Sequence, residues 1–200
     1  MQALLAYLLL NAGSSVPRQQ LAFLFWPDTT EPQARTNLRQ LLHHLRSAWR
    51  DFDGYIEMDT RVLRWRTEHA FTLDIAEFDA AAAHADEPEK WDDYAVARAT
   101  LERCAALYRG DLLPALDDEW INPHRERLRK KYSDVLLRLI RVCESTRDYP
   151  AAIRYTEALL VQDTLSEASY QMLMRIHALS GDRAKALRTY QRCQPYCTRI

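Results

Sequence analysis

No lysine or arginine precedes Arg18, although the chain opens on the strongly apolar stretch MQALLAYLLLNAGSS. A secretory signal starts with a charged segment, and a membrane-spanning helix needs about 20 apolar residues, so neither is expected here. Cysteine is sparse too. Of Cys104, Cys143, Cys193 and Cys197, only the last two lie close together, and no His or Cys pair nearby completes a zinc set. Three of the four sit in apolar helical patterns, where a buried, reduced thiol is ordinary. A reduced, cytoplasmic protein is the resulting expectation.

Neither sign of charge dominates, with 27 Lys and Arg against 28 Asp and Glu. Residues 1–67 hold 8 basic against 6 acidic side chains, and residues 68–200 hold 19 against 22. Any nucleic-acid function must therefore rest on a local patch near the N-terminus. Catalytic signatures are missing: there is no Gly-rich phosphate loop, no nucleophile elbow and no HExxH pair. His43 and His44 are adjacent, so on a helix their rings diverge by about 100° and cannot clamp one metal. Asp117, Asp118 and Glu119 cluster without an identifiable base or metal partner. No enzymatic activity, cofactor or metal is expected.

Glycine is scarce, and the four present, Gly13, Gly54, Gly110 and Gly181, each fall between periodic segments. With 48% apolar residues the chain has ample core material. Leu4, Leu5, Leu8 and Leu9 give a first helix one apolar face. After Ser14-Ser15, Pro17 opens a second short helix through Leu21, Leu24 and Phe25. WPDTTEP is a turn-rich connector, and PQARTNLRQLLHHLRSAWR is a third helix. YIEMDTRVLRW then reads as two short strands around Thr60-Arg61, the one convincing strand pair. Three helices followed by a hairpin is the order of a winged helix-turn-helix.

From Asp74 onward the pattern is helical and repeats. LIRVCESTRDYPAAIR at 139–154 aligns with LMRIHALSGDRAKALR at 173–188, an offset of 34. That is the period of tetratricopeptide helix pairs, with Ala152 and Ala186 where two helices close on each other. DYAVAR at 93–98 is a weaker echo of DYPAAIR at 148–154, separated by an excursion that includes RGDLLPALDDEWINP.

The third helix holds the sharpest functional signal. Arg35, Arg39, His43, Arg46 and Arg50 fall within a stripe about 80° wide. Leu38, Leu41, Leu42, Leu45 and Trp49 lie on another face, with Thr36 and Gln40 exposed beyond the cations. A helix buried on one side, with Arg and amide side chains facing out, can enter the major groove. There Arg bridges guanine, Gln bridges adenine and flanking Arg holds phosphates. Arg61 and Arg64 on the hairpin are placed for phosphate or the minor groove. A second basic run, HRERLRKKY at 124–132, reads as a solvated face or partner surface.

With LYRGDLLPALDDEW and the 34-residue repeat, the chain resembles the bacterial transcriptional activator domain family of SARP-type regulators. ALLAYLLLNAG, LAFLFWPD, ARTNLRQLLHHLR and the hairpin after them resemble that family's winged helix, LDIAEFDAA the entry to its helical domain, and LYRGDLLPALDDEW and QDTLSEASYQMLMRIHALSGDRAKALRTY that domain's two most recognisable stretches. The resemblance implies a DNA-binding activator of transcription, with recognition helix 31–50 and wing 55–66. Thr164 stands where the family usually has Pro. The family's sheet ahead of the first helix has no counterpart here and the chain stops just after the last repeat, so it looks like a piece trimmed at both ends. The expectation is a mainly α protein in which a winged helix-turn-helix at 1–67 binds double-stranded DNA. A tetratricopeptide-type helical domain at 68–200 would take a protein partner, either transcription machinery or the same chain. The alternative is an interaction scaffold that no longer binds DNA.

Overall fold

A computed structural model describes residues 1–68, 71–85 and 94–197. The chain forms two compact units, Met1–Thr72 with Leu113–Pro123, and Leu73–Leu112 with His124–Ile200. It is, among the described residues, mostly helical with one small sheet. Among the described residues no helix is long and apolar enough to cross a membrane.

In the first unit, α1 (Gln2–Leu10) is the apolar opening stretch, and its Leu4 and Leu8 are fully buried. The chain turns at Gly13, whose φ of +81° is costly for any residue with a Cβ, and its N–H donates to the Trp65 carbonyl at 3.2 Å. Next come β1 (Ser15–Pro17), α2 (Arg18–Phe25), α3 (Glu31–Ala48) and the one-turn α4 (Phe52–Tyr55), then β2 (Ile56–Met58) and β3 (Val62–Trp65). The strands form an antiparallel sheet in the order β1-β3-β2, with Ser15, Val16 and Pro17 opposite Arg64, Leu63 and Val62. Val16, Leu63 and Trp65 point into a core shared with Leu21, Leu38, Leu42, Leu45 and Phe52. Trp49 stacks on Tyr55 at 5.2 Å and on Trp65 at 6.0 Å, closing the core beside β3.

Several local details differ from the sequence expectations. The hairpin gains a third strand, because SVP is too short to show an alternating pattern. Pro17, not a serine, occupies the N-cap of α2. The third helix ends at Ala48, so Arg50 lies beyond it, and Gly54 sits inside α4 rather than at a break. The stretch Leu113–Pro123 returns to this unit. Its Trp120 packs edge-on against Tyr7 at 5.2 Å and Phe25 at 6.2 Å, covering apolar rings of α1 and α2.

The second unit contains α5 (Asp74–Ala85), α6 (Tyr94–Leu107), α7 (Asn122–Ser145) from His124 onward, α8 (Tyr149–Gln162), α9 (Glu167–Leu179) and α10 (Arg183–Cys197). Its core is built from Phe78, Leu101, Leu128, Val135, Leu136, Leu139, Ile140 and Ile176, with buried thiols of Cys104 and Cys143. Cys193 is buried in a smaller cluster with Leu173. The side chain of Cys197, and Asp93 at the head of the weak third echo, lie outside the described residues.

The 34-residue offset reappears in the backbone. Arg147 has φ +58° and Gly181 φ +85°, ending α7 and α9 in the same left-handed conformation. Asp148 N–H donates to the Cys143 carbonyl at 2.8 Å, and Asp182 N–H to the His177 carbonyl at 2.9 Å. Each aspartate then caps the next helix, Asp148 accepting from Ala151 N–H at 3.1 Å and Asp182 from Lys185 N–H at 2.9 Å. Within α8, Ala152 has 0% exposure, whereas Ala186 is only half-buried.

A polar network ties α6 to the start of α8. Arg98 donates to Glu102 and to Asp148, each at 2.8 Å, and the Tyr155 hydroxyl donates to Glu102 at 2.8 Å. The Arg98 guanidinium holds the Glu102 and Asp148 carboxyls below the usual carboxylate range. Burial and the neighbouring Glu102 carboxylate push the Tyr155 hydroxyl up to about 12.

Two outcomes follow for stability. Ala152→Leu overpacks a filled site and should cost about 1–3 kcal/mol. Leu at the exposed Arg154 should change stability by less than about 0.5 kcal/mol, both read from denaturant midpoints. The depressed carboxyls stabilise the fold when ionised, a contribution present above their unfolded values and lost as pH falls through their folded ones. Stability should therefore drop below the ordinary carboxylate range, and Arg98→Ala should flatten that drop in a pH series of thermal melts.

Candidate nucleic-acid interface

Helix α3 positions most of the candidate residues. Pro32 sits in its first turn, with its missing N–H where the helix needs none, and Ala34 N–H donates to the Thr30 carbonyl at 2.9 Å. Ala34, Leu38, Leu42 and Leu45 are buried, which fixes the rotation of the helix about its axis. Arg35, Arg39, Gln40, His43 and Arg46 consequently face outward and are exposed.

Their surroundings differ. Arg35 pairs with Glu31, which also accepts from the Gln19 amide at 3.2 Å. Arg39 and Gln40 make no hydrogen bond or ion pair with a described residue. Thr36 is half-buried and its hydroxyl donates to the Pro32 carbonyl at 2.9 Å, so it is engaged within its own helix. The His43 and His44 rings meet edge to face at 6.1 Å. Arg46 is drawn sideways to Asp53, with Nε at 3.0 Å and Nη2 at 2.6 Å from one carboxylate oxygen. Arg50 is exposed in the turn after the helix.

On the hairpin, Asp59 N–H donates to the Val62 carbonyl at 3.0 Å, leaving Thr60 and Arg61 at the tip. Arg61 is exposed there. Arg64 is half-buried in the middle of β3, flanked across the sheet by Ser15 and Glu57. The tip is fastened to the start of α2. Arg18 N–H donates to the Arg61 carbonyl at 2.8 Å, and the Arg18 guanidinium donates to the Asp59 carbonyl at 3.2 Å.

That fastening closes a cleft of about 630 Å³ between the start of α2, the first half of α3 and the hairpin tip. Arg18, Arg35, Arg39 and Arg61 all line it, together with Gln19 and Thr60. Of the sequence-predicted residues, the cleft brings together Arg35, Arg39 and Arg61. Thr36, Gln40, His43, Arg46, Arg50 and Arg64 are not among its lining residues. Arg18 and Gln19 were not legible as site residues. The only hint was a cation directly after Pro17, and its partner at the tip is brought near by β1–β3 pairing. Four guanidinium groups on one concave surface favour a polyanion.

The second basic run is used internally. Arg125 donates to the Leu112 carbonyl at 2.8 Å, Arg127 and Lys131 both bind Asp79, at 2.8 and 2.6 Å, and Arg129 binds Asp111. Asp79, although desolvation raises its pKa, is held below the ordinary value overall by Lys131 and Arg127.

The family model described as bacterial transcriptional activator domain matches residues 73–198. No curated protein matches the chain significantly.

The fastening of the hairpin tip gives a direct expectation. Arg18→Ala removes one exposed side-chain bond and should leave the melting temperature within about 2 °C of wild type. It should nevertheless speed amide exchange at Asp59, because the turn loses its side-chain anchor while the rest of the sheet is intact.

Proposed function

Since the chain belongs to the bacterial transcriptional activator domain family, we propose that it is a cytoplasmic DNA-binding regulator of transcription, of the SARP type. The family match covers the helical unit. The DNA-binding reading rests instead on the first unit, and one observation carries it: four arginines converge on a cleft between a hairpin and an outward-facing polar helix. In this reading the first unit is a winged helix-turn-helix, with α3 as recognition helix and β2–β3 as wing. Arg18, Arg35 and Arg61 hold phosphates on either side of the groove, while Arg39 and Gln40 reach base edges. His43, Arg46, Arg50 and Arg64 would extend the contact along the backbone, and Thr36 would follow its helix into the groove. The helical unit, read as tetratricopeptide-type pairs, takes a partner protein.

Duplex binding has a plain test. Arg39→Ala should weaken binding to a selected specific duplex by about 1–3 kcal/mol and relax preference at one base pair. Arg61→Ala should weaken binding to all sequences alike and lower the slope of affinity against salt by about 1. An electrophoretic shift series across salt concentrations measures both. A chain that shifts no duplex even at low salt would instead support the scaffold reading.

A further inference from the structure

The outer face of α10 combines cations and apolar groups that nothing described in the second unit engages. Residues 183–197 carry Arg183, Lys185, Arg188 and Arg192 and no carboxylate, in a chain whose charges otherwise nearly cancel. Lys185 is occupied by Asp182, through Nζ at 3.2 Å and its backbone N–H at 2.9 Å. The three arginines make no ion pair with a described residue. Thr189 and Cys193 are buried and define the inward side of the helix. At about 100° per residue, Leu187 falls on the opposite side, and it joins Arg183 and Tyr190 as a helical neighbour. Leu187 is 60% and Tyr190 53% exposed.

Exposed Leu and Tyr beside arginines make the composition of a protein-binding surface, where aromatic groups and Arg are enriched. A second copy of the same face is disfavoured, since symmetric pairing would set these cations against each other. A nucleic-acid backbone would satisfy the guanidinium groups but would leave Leu187 uncovered. We propose that this face docks an acidic amphipathic helix of a partner protein, with its apolar side on Leu187 and Tyr190 and its carboxylates on Arg183 and, along one flank, Arg188. This rests on the reading that the helical unit takes a protein partner and is independent of the DNA cleft.

Fluorescence anisotropy with the full chain tests it. The probe is a labelled synthetic helix with leucine and phenylalanine on one side and glutamate on the other, set beside a counterpart with lysine replacing every glutamate. The acidic helix should bind and the basic one should not. Leu187→Asp and Arg188→Glu should each weaken binding roughly tenfold or more, because Leu187 is the apolar centre of the contact and Arg188 its charged flank. Melting temperature and duplex affinity should be unchanged, since both positions are exposed and outside the cleft. Absence of binding by the acidic helix would overturn the proposal. Equal affinity for wild type and both variants would leave partner binding standing but remove it from α10. Loss of duplex affinity in Arg188→Glu with peptide binding intact would reassign the face to nucleic acid. A dimer seen by sedimentation and abolished by Leu187→Asp would reassign it to self-association.

Discussion

Burial of Ala34, Leu38, Leu42 and Leu45 along one side of α3 is the constraint on which the first unit depends. Each buried leucine contributes about 1.5–3 kcal/mol relative to exposure. The exposed pairs Arg35–Glu31 and Arg46–Asp53 contribute about 0–1 kcal/mol each. Packing therefore sets how α3 is turned, and the ion pairs only decorate it. A rotation by one residue, about 100°, would swing the cationic stripe toward the core, where unpaired guanidinium groups are not tolerated. The same apolar contacts that hold the unit together thus decide which side chains face outward.

The hairpin matters for a related reason. Its strands are three and four residues long, too short to be rigid alone, and β1 stiffens them from one edge. Arg18 then joins the tip to the helix that follows β1, through one backbone and one side-chain bond. Cleft and sheet are consequently one feature: the strand pairing that completes the sheet also delivers the fourth arginine.

Much of this was legible from residue order. The helices with long apolar periodicity, the hairpin around Thr60-Arg61 and the cationic stripe of α3 all depend on local spacing, which sequence carries directly. The 34-residue offset was visible as identities. Its turn was less so, because Arg147 occupies the left-handed position that glycine takes at Gly181. What escaped was tertiary. A three-residue strand has no period of its own, α4 is a single turn around a glycine, and nothing local announces that Trp120 packs on Tyr7 and Phe25. Arg18 belongs to the same class, since its role comes from a partner more than forty positions away. The basic run at 124–132 was conspicuous in sequence, yet most of its charge is met by Asp79 and Asp111, carboxylates distant along the chain.

As proposed, duplex DNA sits in the cleft between α2, α3 and the hairpin tip. Amide hydrogen exchange of the full chain, with and without a saturating duplex, addresses that surface directly. DNA bound there should slow exchange at the start of α2, the first half of α3 and residues 59–61, with α10 unchanged. Protection confined to the helical unit, with the cleft exchanging as in the free protein, would contradict it.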